Sequence, residues 1–248
     1  PATRQLKASL LHHLFTYGPV PVAQADRVPL KDAAVCPVPD HWRRVRVAEL
    51  GRVVTGKTPS TSNPEYWDGD IPFITPADLN DAPIRRAGRT ISEAGLAVVK
   101  ELPRGSVAVS CIGYIGKVGF VDCERSATNQ QINSVVPTSD YDSKFIVFRF
   151  QTLTAHLKAA AAMTTVPILN KSNFEGIPIW VPELAEQREI AGQLSAVDAK
   201  LAALESRRAA LASLFASLLH HLMTGQVRLP EFANAKPPGR AVTTEATA

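Results

Sequence analysis

The sequence predicts an α+β fold in which a mixed α/β domain is followed by one long coiled-coil helix. The middle of the chain consists of short apolar runs punctuated by Gly, Pro, Asn and Asp, which is typical of short strands and turns. After Pro182, apolar residues recur at intervals of four and three, which is typical of a helix packed along its length against another helix. We divide the chain into the end of a helix at 1–17, a proline-rich linker at 18–39, a mixed domain at 40–182, a long helix at 183–225 and a disordered tail at 226–248.

The first helical segment carries a sequence that the chain repeats. ASLLHHL occurs at 8–14 and again at 216–222, and nine of the eleven aligned positions of 6–16 and 214–224 are identical. Four leucines at helical spacing predict the last turns of a helix in the first copy; they are Leu6, Leu10, Leu11 and Leu14. The prolines of 18–39 then predict an extended linker, because proline fixes its own φ angle and disfavours helix in the residue before it.

Five apolar runs predict strands in the middle domain. They are VRVAEL at 45–50, IPFIT at 71–75, SVAVSCI at 106–112, QINSVV at 131–136 and IPIWV at 177–181. One longer segment, 143–163, has neither Gly nor Pro and carries apolar residues at helical spacings. We expect this segment to form a helix that covers the sheet.

The last helix carries a heptad seam of nine apolar positions. They are Ile190, Leu194, Val197, Leu201, Leu204, Leu211, Phe215, Leu218 and Leu222. Arg208 interrupts the seam, and we expect it to set the register between helices. Gly225 is expected to end the helix, and the tail after it has too few apolar residues to fold. The short helix at 1–17 cannot bury the whole seam of the last helix. The isolated chain is therefore expected to self-associate through 190–222.

Composition limits the classes of function that the chain can have. With 248 residues and 45% hydrophobic residues, the chain can form one or two domains with a core. No apolar run reaches the roughly 20 residues that span a bilayer, and no secretory signal is visible, so we expect a cytoplasmic protein without membrane contact. Three cysteines, Cys36, Cys111 and Cys123, lack the spacing of a metal site or disulfide framework. The net charge of +4 permits a polyanionic partner without requiring one.

Residues 51–58, GRVVTGKT, match the pattern of a phosphate-binding loop. That motif works when a helix begins at its Gly-Lys-Thr, so that backbone amides face the phosphates. Here a run rich in Pro, Ser, Thr and Asn follows at 59–64, which predicts a loop. An ATP-binding enzyme therefore stays an alternative hypothesis, as does a coiled-coil scaffold that binds protein rather than DNA. No catalytic nucleophile, base and orienting carboxylate can be assembled from the sequence.

Seven segments in order resemble the specificity subunit of type I restriction-modification systems. They are PDHW at 39–42, VTGKTPSTSNPEYWDGDIPFITPADL at 54–79, ISEAGL at 91–96, GSVAVSCIGYIGKVGF at 105–120, ATNQQINSV at 127–135, ILNKSNFEGIPIWVPELAEQREIA at 168–191 and LMTGQVRL at 222–229. Each segment alone is weak evidence, but the Gly-Lys-Thr-Pro-Ser loop, the Asn-Gln-Gln-Ile-Asn segment and the Pro-x-x-x-Glu-Gln helix entrance are jointly specific. The resemblance covers essentially 39–229.

The resemblance implies a non-catalytic DNA-reading subunit. Members of the family carry two target recognition domains, each followed by a long spacer helix, and each domain reads one half of a split DNA target. The chain would then be the C-terminal half of such a subunit, or a naturally split half, with 1–17 as the end of a first spacer helix. The implied partners are double-stranded DNA, modification (methyltransferase) subunits, a restriction subunit and a second specificity half. The implied cofactors are S-adenosylmethionine on the modification subunit and ATP with magnesium on the restriction subunit, with none on this chain.

Residues that contact DNA are expected on loops of the middle domain. The segment 40–182 has 16 Lys and Arg against 14 Asp and Glu, so a DNA-binding face must be local. Arg and Lys suit guanine or phosphate, whereas Asn and Gln suit adenine. The candidates are Lys57, Thr58, Ser60, Thr61, Arg85, Arg86, Arg89, Tyr114, Lys117, Asn129, Gln130 and Gln131.

Each group of candidates has a structural alternative. The amides of 129–131 could hold loop backbone instead of reading bases. The arginines of 85–89 could belong to a solvated edge strand. Lys57 and Thr58 belong to a motif that resembles the family's common framework rather than its variable reader. They could therefore shape the domain for every target, and phosphate contact is their expected direct role.

Overall fold

The computed structural model describes residues 2–33, 36–161 and 166–224. The predicted α+β fold with a long C-terminal helix is confirmed. The chain divides into two units, 1–198 and 199–248. The helices are α1 (Ala2–Tyr17), α2 (Val47–Leu50), α3 (Glu93–Ala97), α4 (Ser143–Thr152), α5 (Thr154–Ala159), α6 (Lys171–Glu175) and α7 (Leu184–Met223), with 3-10 turns at Val22–Arg27 and Pro64–Tyr66. The strands are β1 (Leu30–Lys31), β2 (Val38–Pro39), β3 (Arg43–Arg46), β4 (Gly51–Thr55), β5 (Trp67–Ile74), β6 (Pro83–Ile84), β7 (Thr90–Ile91), β8 (Glu101–Pro103), β9 (Val107–Ser110), β10 (Val118–Val121), β11 (Arg125–Thr128), β12 (Ile132–Pro137) and β13 (Pro178–Val181).

Two sheets form the framework of the first unit. The larger sheet has the strand order β4-β12-β9-β10-β6, and the smaller one has the order β7-β5-β11-β8. Neighbours are antiparallel except for the pairs β10–β6 and β11–β5, which are parallel. Residues 132–135 of β12, an interior strand of the larger sheet, are all buried, which is typical of a strand covered on both faces. The strands β3 and β13 form a separate antiparallel pair.

The segment predicted to be one strand at 45–50 changes conformation halfway. Strand β3 ends at Arg46, and the helical turn α2 follows. The Glu49 carboxylate accepts a hydrogen bond from the Arg46 backbone N–H at 2.7 Å, which caps the turn. Val47 and Leu50 are both buried in the core. Residues three apart lie on the same face of a helical turn but on opposite faces of a strand.

The predicted helix at 143–163 is two helices with a break at Leu153. Asp142 caps α4 by accepting a hydrogen bond from the Phe145 N–H at 2.9 Å. The Thr152 hydroxyl donates back to the Arg149 carbonyl at 2.8 Å, a local bond that competes with helix continuation. Helix α5 then turns Leu157 into the core. Residues 162 and 163 of the predicted segment lie outside the described residues.

The linker at 18–39 is less extended than predicted, because it packs within the first unit against the domain that follows it. It contains the 3-10 turn at Val22–Arg27 and an antiparallel pairing of β1 with β2. Val38 is fully buried. At the end of α1, Phe15 is also buried, with its ring edge-on to Trp42 at 6.2 Å between centroids. The linker therefore holds α1 against the domain that follows it.

The start of α7 is anchored by its Pro-x-x-x-Glu-Gln entrance. Gln187 is buried, donates to the Pro182 carbonyl at 2.9 Å and accepts from the Asp142 backbone N–H at 2.9 Å. Glu186 accepts from the indole Nε1 of Trp42 at 2.9 Å. The two motif residues thereby fix the first turn of the helix to the first unit. A salt bridge of 2.6 Å joins Lys7 of α1 to Asp198 of α7 in the same unit.

The heptad seam of α7 has two environments. Ile190 and Leu194, which were assigned to a helix–helix interface, are buried in the hydrophobic core of the first unit. A helix lying on a domain shows the same spacing over two turns, which is why the pattern did not separate the two cases. Val197 and Leu201 are partly buried. In the second unit Leu204, Leu211, Phe215, Leu218 and Leu222 are exposed. Gly225 and the tail predicted to be disordered lie outside the described residues.

Candidate nucleic-acid interface

Loops from both sheets meet where β4, β5 and β11 end and β12 begins. The Gly56 N–H donates to the Ile132 carbonyl at 3.1 Å, and the Lys57 N–H donates to the Thr128 carbonyl at 2.9 Å. A Cβ atom at Gly56 would lie 2.1 Å from the Asn129 carbonyl oxygen, so only glycine permits this close approach. The loop at 56–61 therefore packs directly on the loop at 129–131.

The amide side chains of 129–131 divide into two roles. Asn129 donates through Nδ2 to Gln131 Oε1 at 2.9 Å and accepts from the Gln131 N–H at 3.1 Å, so both side chains shape the loop. Gln130 is exposed and accepts a hydrogen bond of 2.6 Å from the Thr58 hydroxyl. Gln130 and Lys57 are both exposed, and Thr58, next to Lys57 in the chain, joins their two loops through this hydrogen bond.

The turn between β9 and β10, residues 111–117, which we call the glycine turn, lies beside these loops. The Cys111 N–H donates to the Gln131 carbonyl at 2.7 Å, and Lys117 Nζ donates to the Pro76 carbonyl at 3.2 Å. Tyr114 is 78% exposed at the turn. Burial raises the pKa of the Cys111 thiol to about 11, so this thiol stays neutral near pH 7.

Arg89 joins the same group of loops through Trp67. Its guanidinium carbon lies 3.8 Å from the centroid of the Trp67 ring, and the Trp67 indole donates to the Ser60 carbonyl at 3.1 Å. The Ser60 and Ser62 hydroxyls share a hydrogen bond of 2.8 Å. Thr61 is exposed in the same loop.

Arg85 is placed apart from the other candidates. Strand β6 pairs in parallel with β10, which takes Arg85 to the end of β10 opposite Lys117. There Arg85 Nε donates to Asp122 Oδ2 at 2.8 Å, and Arg104 donates to the same carboxylate. The hydrogen bond from Arg85, together with those from Arg104, lowers the pKa of Asp122. Arg86, the next residue along the chain, is exposed.

The sequence reasoning missed Asp78 and Lys158. Asp78 accepts hydrogen bonds from the Thr75 N–H at 2.8 Å and the Gly88 N–H at 2.9 Å, which connects the loop after β5 to the segment that carries Arg89. Lys158 lies on α5 and lines a cavity beside Tyr114. No motif marks Lys158, since only the packing of α5 brings it near the glycine turn.

Residues 51–58, which match the phosphate-loop pattern, do not have the strand–loop–helix geometry of a nucleotide-binding site. Its first half is strand β4, and its second half enters the loop at 56–61. The next helical element is the three-residue 3-10 turn at Pro64–Tyr66, which cannot present a helix N-terminus at the Gly-Lys-Thr. Among residues 2–33, 36–161 and 166–224, no cluster of His, Cys, Asp and Glu could hold a metal ion. No helix among them is long and apolar enough to cross a membrane.

Comparisons with known proteins agree with this architecture. The chain is 31% identical over 175 residues to the type I restriction enzyme MjaIX specificity subunit of Methanocaldococcus jannaschii, covering 68% of this chain and 40% of that protein. It is 35% identical over 151 residues to the type I restriction enzyme HindI specificity subunit of Haemophilus influenzae, covering 58% and 33%. The chain thus spans well under half the length of these relatives.

Solved structures share the fold. The HsdS subunit from Thermoanaerobacter tengcongensis superposes with a TM-score of 0.56 at 19% identity, covering 89% of this chain and 50% of that one. The type I restriction-modification S subunit from M. genitalium gives a TM-score of 0.61 at 14% identity, covering 88% and 53%. The family model described as type I restriction modification DNA specificity domain matches residues 39–212, and the chain therefore belongs to that family.

Proposed function

We propose that this chain is a non-catalytic DNA-reading part of a type I restriction-modification complex. Its first unit reads one half of a bipartite DNA target, and α7 separates that unit from a second reading domain. The observation that carries the proposal is the convergence of the loops at 56–61, 111–117 and 129–131 in a member of the specificity-domain family. These loops offer two cations, Lys57 and Lys117, and an exposed amide, Gln130.

The contacts of the side chains on this face suggest a separate role for each residue. Lys57 is suited to a phosphate, because its backbone is fixed by Thr128 while its amine is exposed. Gln130 is suited to a base edge, although its amide already accepts from Thr58. Asn129 and Gln131 hold the loop in shape and act indirectly. Arg85 is satisfied by Asp122 and is expected to contribute little to DNA affinity.

Helix α7 has the length that a spacer requires. Its 40 residues extend about 60 Å, whereas successive half-sites of a duplex lie about 34 to 36 Å apart. The exposed apolar seam of the second unit is a suitable surface for another helix, either from a second copy or from another specificity half. Modification subunits then dock on the paired helices.

The chemistry of the complex belongs to the partners in this proposal. The modification subunit carries S-adenosylmethionine and methylates adenine, and a restriction subunit carries ATP and magnesium. This chain supplies recognition and spacing and binds none of these cofactors. Its expected location is the cytoplasm, where its DNA target is found.

The test is single-molecule methylome sequencing of a restriction-deficient host that expresses this chain with its neighbouring modification subunit. We expect a new adenine-methylated motif whose two halves are palindromic, because two copies of one reading domain recognise it. Expression of the modification subunit alone is the control and should give no motif. Absence of a new motif from soluble, associated proteins would contradict the proposal.

A further inference from the structure

The glycine turn presents one large aromatic side chain to solvent. Tyr114 is 78% exposed and lies between Gly113 and Gly116, whose φ angles are +72° and +87°. A Cβ atom added at Gly113 would meet nothing within 4 Å, so the backbone beside Tyr114 is open to close approach by a ligand. An aromatic ring exposed in this way can stack on a flat ligand such as a nucleobase.

The turn holds Tyr114 rigidly. The buried Ser110 hydroxyl donates to the Tyr114 carbonyl and accepts from the Lys117 N–H at 2.9 Å. The next side chain, Ile115, is 4% exposed and anchors the turn in the core. A turn fixed on both sides presents its aromatic ring with little loss of conformational entropy on binding.

A basic cavity lies beside the ring. It has a volume of about 500 Å³ and opens between the glycine turn and the start of α5. None of the described residues that line it is acidic, and two are lysines; the lining consists of Gly113, Tyr114, Ile115, Gly116, Lys117, Thr154, Lys158 and Pro167. The Lys117 ammonium lies 5.6 Å from the centroid of the Tyr114 ring. The combination of a flat aromatic ring with two flanking ammonium groups complements a nucleobase flanked by phosphates.

We propose that Tyr114 inserts at a base step of the bound duplex and stacks on an unstacked nucleobase, while Lys117 and Lys158 hold the adjoining phosphates. This inference rests on the proposed DNA-reading function. It assigns Tyr114 a stacking contact with a base, which is distinct from the electrostatic contacts of the lysines with phosphates. A protein partner fits less well, because the cavity is basic and its aromatic residue stands on a glycine turn suited to a closely approaching backbone. Side chains that wedge between base steps in this way kink the duplex.

The test uses the assembled complex and duplexes that carry its methylated motif with 2-aminopurine at one position at a time. We expect the wild-type complex to raise the fluorescence at one base step other than the adenines that the modification subunit flips out for methylation, since unstacking relieves quenching. Tyr114→Ala should abolish that rise and weaken binding roughly 5- to 100-fold without changing the salt dependence. Tyr114→Phe should keep the rise, because it keeps the ring. Lys117→Ala tests the proposed phosphate contact: at saturating protein it keeps the rise, but it lowers the salt slope by about one.

Two results would overturn the inference while leaving the proposed function intact. One is a Tyr114→Ala complex that binds and unstacks the duplex as the wild type does. The other is loss of the modification subunit from the Tyr114→Ala complex with unchanged DNA binding, which would make Tyr114 a protein contact. A wild-type complex that binds no duplex would overturn both the inference and the proposed function. An unchanged thermal melt of Tyr114→Ala shows that the exposed site was altered without unfolding.

Discussion

The two copies of ASLLHHL place identical residues in opposite environments. In α1 the last leucine of the copy, Leu14, and the following Phe15 are each 1% exposed. In α7 the equivalent residues, Leu222 and Met223, are 42% and 81% exposed. Leu14 and Leu222 are the same residue, so their difference in exposure comes from the neighbouring surface. Phe15, which aligns with Met223, meets the Phe145 ring at 5.4 Å between centroids. The end of the repeated segment is therefore packed in the first unit and exposed in the second.

The difference in burial between the two copies corresponds to a difference in stabilising free energy. Full burial of a large apolar side chain contributes about 1.5–3 kcal/mol. The α1 copy gains this contribution within the chain. The second copy can gain it only by association with another surface, and the exposed heptad seam extends through the same part of α7.

The largest expected effect is on self-association. The double variant Leu211→Glu with Leu218→Glu should weaken self-association of the chain roughly 100-fold or more, because two carboxylates would enter an apolar seam. Sedimentation equilibrium at micromolar concentration measures this. Ser213→Glu, an exposed position off the seam, is the matched control and should associate as the wild type does. A wild-type chain that is monomeric at this concentration would contradict the assignment of the seam.

The next effect compares the two copies residue for residue. In the monomeric double variant, Leu14→Ala should lower the free energy of unfolding by about 2–5 kcal/mol, since it leaves a cavity in the core. Leu222→Ala in the same background should change it by less than about 0.5 kcal/mol. Urea denaturation followed by tryptophan fluorescence gives both values. Equal effects would show that the two copies do not differ in burial.

A smaller effect is expected where α7 joins the first unit. Gln187→Ala should lower the free energy of unfolding by about 1–3 kcal/mol, because it removes a buried side chain and leaves the partly buried Asp142 N–H without its 2.9 Å acceptor. The exposed Gln193 on the same helix is the matched control, and Gln193→Ala should be nearly neutral. If the two substitutions cost the same, Gln187 does not anchor the helix.

The smallest effect concerns an ion pair on the surface of the first unit. Arg85 and Arg104 lower the pKa of Asp122, so the stabilisation is present above the ordinary aspartate pKa of 3.8 and is lost as the pH falls through the lowered folded-state pKa. Asp122→Asn should therefore cost about 1 kcal/mol or less at pH 7 and progressively less as the pH is lowered toward 3. Urea titrations across this range measure the difference. A difference that grows at low pH would contradict the assigned cause.

The sequence predicted long elements better than short ones. The seam of α7 and the leucines of α1 could be found because their spacing persists over several turns. Strands such as β10 and β11 have four residues each, and most of their side chains are buried, so no polar–apolar alternation marks them. The break at Leu153 is accompanied by the hydrogen bond from the Thr152 hydroxyl to the Arg149 carbonyl, which hydrophobic periodicity does not reveal.

The candidate interface could be predicted only in part for a similar reason. The hydrogen bond between Thr58 and Gln130 joins residues 72 positions apart, and each motif alone says nothing about the other. Arg85 and Arg89 are four residues apart in sequence, yet β6 takes one to Asp122 while the other reaches Trp67. Residue type predicted DNA contact for both arginines. Only the strand pairing shows that they lie at different places in the domain.

The most direct test of the central claim is a graft of the first unit, residues 1–198, into a related two-domain specificity subunit in place of one recognition domain and its adjoining helix segments. Unit 1 is the appropriate segment because Ile190 and Leu194 of α7 belong to its core. Methylome sequencing should show that one half of the methylated motif changes while the other half is retained. An assembled, active chimera whose motif is unchanged in both halves would contradict the claim that this unit reads DNA sequence.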